Sequence, residues 1–297
     1  MYKWCGRGPL LGLIGLLVAS LSGPAQAVDG ELLWVGCGIT KKAFMTELAK
    51  AYEAKTGVKI TLKGGGATKG IRDTGLGKSD LGGACRVSLD RHEEERQVIQ
   101  VPLAWDALVA ITNRNNPVKD ISLHQLRQVY LGNITNWQEL GGHDARIELY
   151  VRKGKLSGVG RTLRELVFAD YNQDFTSRAK VVRSSGPLEQ AVEENLHAIA
   201  TTGISSAKRR QVNILSLEGK EPSYENIKNG EYILYRPLYL VVNKTNEDPD
   251  VKGFVRYAQS REGKEVIRKA GAVPYTDAIG LVMKQVEQLK RATEAGL

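Results

Sequence analysis

Between Lys63 and Arg86 the chain reads KGGGATKGIRDTGLGKSDLGGACR, and these residue types could do chemistry. The successive glycines Gly64, Gly65 and Gly66 let backbone N–H groups turn toward a ligand, and a helix beginning at Thr68 would add its positive end, an arrangement that holds an anion. Glycine runs also mark ordinary surface turns, so this stretch alone leaves that second reading open. It is not a nucleotide P-loop, because no Gly-Lys-Ser/Thr follows at the required spacing.

Two later turns have a similar design. A strand from Ile147 to Val151 runs into Arg152-Lys153-Gly154-Lys155-Leu156-Ser157-Gly158-Val159, with Arg152 and Ser157 available to an anion. Arg183-Ser184-Ser185-Gly186-Pro187 then opens a helix carrying Leu188, Ala191, Val192 and Leu196, with proline well placed just after the start.

The elements that must position these turns are legible from periodicity. Leu32 to Val35 reads as a buried strand ending at the tight turn Gly36-Cys37-Gly38. Thr40 is expected to cap a helix through about Lys55, with Phe44, Leu48, Ala51 and Tyr52 on one face and Gly57 closing it. Val58 to Leu62 alternates like a second strand and feeds the glycine run, where open α/β sheets bind their ligands. The charged stretch Val87 to Gln100 reads as a solvated helix or loop without chemistry. Pro102 to Ile111 is apolar enough to cross the interior, Ser122 starts a helix ending near Gly132, and Tyr235 to Val242 is a strongly apolar strand.

The chain has 297 residues, 42% hydrophobic and 25% charged, which suits a globular protein of two domains. Lys3 and Arg7, the apolar run Leu10 to Leu21, Ser22-Gly23-Pro24 and Ala25-Gln26-Ala27 form a secretory signal-peptide pattern over residues 1–27, cleaved after Ala27. The formal charge of +9 is spread along the chain without interleaved aromatics, which argues against nucleic acid and for a modest attraction to anions. His92, His124, His143 and His197 have no metal-ligand spacing, and no Ser-His-Asp set, CxxC or paired-carboxylate motif suggests an enzyme.

Several longer patterns carry a resemblance. Asn116-Pro-Val is followed by Leu123-x-x-Leu126-x-x-Val129-Tyr130-x-Gly132-x-Ile134-Thr135-Asn136-Trp137-x-Glu139-x-Gly141-Gly142. Glu225-Asn226-Ile227-Lys228-x-Gly230-x-Tyr232 leads to Arg236-Pro237-Leu238-Tyr239, and Glu262-Gly263 to Ala270-Gly271-x-Val273-Pro274. With these the chain resembles, over nearly its whole length after residue 27, the substrate-binding subunits of bacterial phosphate ABC transporters.

The resemblance implies an α/β periplasmic binding protein of two lobes, each a mixed sheet flanked by helices, joined by two crossover strands. Residues 28–103 with 237–297 would form lobe 1 and residues 104–236 lobe 2. It also implies a monomer that captures an oxyanion, without metal or cofactor, and works with ABC transporter membrane subunits or a membrane sensor. Matching positions place Thr40, the Lys41 backbone, Gly66, Ala67, Thr68, Cys85, Arg86, Arg152, Ser157, Gly158 and Val159 around the ligand. Ala67, Cys85 and Val159 stand where the family commonly has oxygen-bearing side chains, each lost hydrogen bond costing about 1.5–3 kcal/mol. The resemblance therefore implies an oxyanion and leaves its identity open.

Cys37 and Cys85 both fall at the mouth of the expected cleft. Three readings stand: a disulfide worth about 4 kcal/mol by loop entropy, a thiol pair gripping a metal, metalloid or haem, or two unpaired thiols. A cysteine-based sensor is accordingly the alternative to the oxyanion binder.

Overall fold

In the computed structural model, residues 1 and 30–295 are described; the signal-peptide pattern over residues 1–27 lies, apart from Met1, outside them. The first strands are β1 (Glu31–Gly36), β2 (Lys59–Gly64), β3 (Leu81–Ala84) and β4 (Val98–Asn113). They are followed by β5 (Asp120–Ile121), β6 (Glu148–Arg152), β7 (Lys180–Val182) and β8 (Ala198–Gly203). Then come β9 (Val212–Ile214), β10 (Ser216–Leu217), β11 (Tyr235–Asn243) and β12 (Val273–Pro274).

Ten of these strands are connected in the order β2-β1-β3-β11-β4-β8-β6-β7, with β12 and β9 also paired to β4. The neighbours of β1 and of β6 are parallel, whereas β11 and β4 run antiparallel. Leu32, Trp34 and Val35 of β1 are buried, as an interior parallel strand requires. The mixed sheet flanked by helices is the α/β architecture expected.

The sixteen residues of β4 tie the two halves together. Residues Val98 to Ala107 pair with β11, whereas Leu108 to Asn113 pair with β8 and β9. The strand is longer than the Pro102–Ile111 run because sheet pairing extends it into polar residues at both ends.

Local capping follows the sequence. Ser122 and Gln125 form a capping box on the helix Leu123–Leu131, which left-handed Gly132 closes. At the first turn the cap is Cys37 rather than Thr40: its sulfur accepts the Thr40 N–H at 3.3 Å, and the helical run starts at Gly38. Thr40 is an interior helical residue.

Candidate functional site

A cleft of about 840 Å³ opens where the ends of β1, β2, β3 and β6 face one another. Its walls are the turns predicted from sequence: Cys37 to Ile39, Gly64 to Thr68, Arg152 to Val159 and Arg183 to Gly186, with Cys85 beneath them. Lys42, Arg152, Lys153, Lys155 and Arg183 line it, and no Asp or Glu does among the described residues. A cleft lined by one sign of charge with low-dielectric walls concentrates ions of the other sign.

Gly66 adopts φ +85°, a conformation that suits glycine, at the start of the helix Ala67–Gly75. The Gly65 and Gly66 N–H groups expected to face a ligand donate instead to the Gly36 carbonyl at 3.0 and 3.1 Å, which leaves the first N–H groups of the helix itself at the cleft. Across from it Ser157 caps the helix Gly158–Leu163, accepting the Gly160 N–H at 3.2 Å and donating to the Gly154 carbonyl at 3.3 Å. Arg152 is fixed at the mouth of β6 by donating to Ser185 Oγ at 2.7 Å and to the Arg183 carbonyl at 2.8 Å. Its Nε has no partner among the described residues, and burial pulls its guanidinium below the ordinary arginine value, with Cys85 and Cys37 opposing.

The two walls are latched together. The Leu156 carbonyl accepts from Thr68 Oγ1 at 2.9 Å and from Arg86 Nε at 3.1 Å, and Thr162 Oγ1 donates to the Cys85 carbonyl at 3.1 Å. Lys42 Nζ reaches Ser206 Oγ at 2.7 Å and Glu189 at 3.5 Å.

Of the residues expected around the ligand, Gly66, Ala67, Thr68, Cys85, Arg152, Ser157, Gly158 and Val159 line this cleft. Three do not. The Thr40 hydroxyl is buried and donates to the Ala84 carbonyl, because the helix starts earlier than expected. The Lys41 backbone N–H donates to the Cys37 carbonyl at 3.0 Å and its Nζ to the Leu62 carbonyl, while its neighbour Lys42 faces the cleft. Arg86 is spent on a buried two-pronged pair with Glu95, at 2.8 and 2.9 Å, besides its bond to Leu156. That pair corrects the reading of Val87 to Gln100 as chemically inert: Glu95 is 0% exposed and also accepts from Arg72 and the Leu89 N–H. Burial pushes its carboxyl up, and the Arg86 pairing more than reverses this, leaving it below the usual value.

Lys153, Lys155, Ser184 and Ser185 also line the cleft from the two later turns, and Lys42 and Ser206 line it from outside the predicted turns. The Arg183–Pro187 turn was visible as a pattern, whereas Lys42 and Ser206 carry no local signal.

The two cysteines are both free and buried, at 5% and 2% exposure, so the expected disulfide is not formed in this structure. The neighbouring Cys37 sulfur draws the Cys85 thiol below the ordinary value, helped by Arg236 and Arg152 and opposed by burial and Asp106. Burial and the neighbouring sulfur hold Cys37 well above the ordinary value. Behind them Arg236 pairs with Asp106 at 3.4 Å, and its Nε and Nη1 have no partner among the described residues. Asp106 also accepts from Ser205. Among the described residues no group of three or more His, Cys, Asp or Glu could hold a metal ion.

Comparison with known proteins agrees with this geometry. A family model for a PBP superfamily domain matches residues 25–262. The phosphate-binding protein PstS of Borreliella burgdorferi is 26% identical over 87% of this chain and 96% of its own length. That of Bacillus subtilis is 27% identical over 85% of this chain and 83% of its own. Among solved structures, one from Clostridium perfringens, described as a phosphate ABC transporter substrate-binding protein with bound phosphate, superposes with TM-score 0.74. It is 30% identical, over 82% of this chain and 99% of that one. The chain therefore belongs to the PBP superfamily and, within it, to the phosphate ABC transporter substrate-binding proteins.

Proposed function

We propose that the protein is a binding protein, not an enzyme, that captures phosphate or a closely similar oxyanion in the cleft and delivers it to ABC transporter membrane subunits. One observation carries this reading: five basic side chains line the cleft with no carboxylate among them, in a chain whose relatives are named for phosphate. In this reading residues 28–103 with 237–297 and residues 104–236 are two lobes that hinge on β4 and β11 and close on the ligand. The protein works as a monomer outside the cytoplasm, exported by the signal-peptide pattern of residues 1–27.

Arg152 supplies the charge and its unpartnered Nε. The helix starts at Ala67–Thr68 and Gly158–Val159 supply N–H groups, a way of holding an anion that needs no particular side chain at Ala67 or Val159. Lys42 and Arg183 add cations that offset the side-chain oxygens absent at Ala67, Cys85 and Val159. The relatives favour this role over that of a cysteine-centred sensor. A crystal grown with phosphate tests it: a tetrahedral density between Arg152 and the Gly64–Thr68 turn is expected, and an empty cleft at saturating phosphate would defeat it.

A further inference from the structure

Two cleft residues are left without a part in holding an oxyanion. Cys37 and Cys85 follow the ends of the neighbouring strands β1 and β3, and both line the cleft. Neither is bridged. Cys37 Sγ sits at a helix start, taking the Thr40 N–H at 3.3 Å and lying 2.8 Å from Thr40 Oγ1. The charged groups facing the pair are Arg236 and Arg152, with Asp106 as the one acid acting on Cys85. Arg236 pairs with Asp106 at 3.4 Å and keeps two further N–H-bearing nitrogens buried without a partner among the described residues.

We propose that Cys37 and Cys85 form a thiol site within the cleft for the trivalent, thiophilic oxyacid of arsenic. Two sulfurs with no group of three or more His, Cys, Asp or Glu among the described residues do not make a structural zinc site, which takes four protein ligands. Arsenious acid, As(OH)3, arrives with its own oxygens and needs only the two thiols. Two As–O bonds break and two As–S bonds form. Each thiol proton leaves with a hydroxide as water, arsenic stays trivalent, and the product is a dithiolate carrying one remaining hydroxyl. That hydroxyl is left among the donors of a cleft already suited to small oxygen-bearing ligands. A carbon on Gly158 would lie 2.3 Å from Cys85 Sγ, so the sulfur is reached only when the walls part. The site shares with the oxyanion reading only that its ligand enters this cleft.

The test uses reduced full-length protein, sodium arsenite and native mass spectrometry, with a phosphate titration on the same sample. The expected adduct is one arsenious acid less two waters per chain, lost in Cys37→Ser and in Cys85→Ser. Excess phosphate is expected to slow its formation by holding the walls together. Absence of an adduct on protein that binds phosphate would overturn the thiol site and leave the oxyanion reading intact. An adduct on protein that binds no phosphate would do the opposite. An adduct surviving either cleft substitution, in a variant whose circular dichroism matches the parent, would also overturn the thiol site.

Discussion

Gly158 packs against Cys85 so closely that a methyl group on it would stand 2.3 Å from the sulfur and 3.1 Å from Ala67 Cβ. The two walls of the cleft therefore meet at a point where only glycine fits. Gly158→Ala forces the Ser157–Val159 turn back from the Gly64–Thr68 turn. Overpacking of this kind costs about 1–3 kcal/mol, which corresponds to a loss of about 5- to 150-fold in phosphate affinity. Small-angle scattering with and without phosphate checks it, and the variant should remain more extended at saturating ligand.

Among the described residues, Arg152 is held at the cleft by bonds to Ser185 and the Arg183 carbonyl while its Nε has no partner. Arg152→Ala removes charge-assisted hydrogen bonds worth about 1.5–3 kcal/mol, so phosphate binding should weaken by about 10- to 100-fold. Its melting temperature without ligand should change little, because its fixed partners are half-exposed. Dialysis against phosphate and a thermal melt separate the two effects.

The Arg86–Glu95 pair is structural and also reaches across the cleft through the Leu156 carbonyl. Arg86→Met leaves the Glu95 carboxylate buried without its main partner and should destabilise by about 3–5 kcal/mol. Because the folded Glu95 value lies below the ordinary 4.5, its contribution is fully present above that value and is lost as pH falls through the folded one. Denaturant midpoints measured from pH 7 downward should therefore converge for Arg86→Met and the parent at acid pH.

Glu165 behaves in the opposite sense. Burial raises its carboxyl from 4.5 to about 7, against the Tyr171 hydroxyl and Arg161. Ionising it in the folded state costs stability, a penalty that grows as pH rises from 4.5 to about 7 and is complete above it. Glu165→Gln should then stabilise the protein by about 1–3 kcal/mol at pH 8 and hardly at pH 4. Urea titrations at the two pH values check the difference.

Much of this architecture is legible in the sequence where local rules decide it. The apolar Leu32–Val35 run ending at glycine, the helix started by Ser122 and the strand-turn-helix pattern at Arg152–Val159 are each set by local composition, and the structure has each element. Local rules fail where distant partners decide. Glu95 lies in a run of charges that reads as solvated, and only Arg86 and Arg72, brought in by the fold, make its burial tolerable. Thr40 looks like a helix cap until the helix starts at Gly38, with Cys37 taking that role and the hydroxyl turning to Ala84. Lys42 enters the cleft, and Lys41 does not, because of the helical turn they share, which periodicity alone did not assign to a ligand.

The Cys37–Cys85 pair gives a spectroscopic prediction. With its thiol held below the ordinary value by the neighbouring sulfur and by Arg236 and Arg152, Cys85 should ionise at lower pH than a free cysteine, visible as ultraviolet thiolate absorbance with a lowered midpoint. The low-pH step should vanish in Cys85→Ser. A midpoint at the ordinary thiol value would show that the neighbouring sulfur and arginines do not stabilise the anion.

Isothermal titration of ligand-stripped protein with phosphate, in parallel with Arg152→Ala, tests the central claim most directly. The account predicts one phosphate per chain on the parent protein and binding weakened at least tenfold in the variant, consistent with loss of one charge-assisted contact. No heat on the parent protein, or equal affinity in the variant, would contradict it.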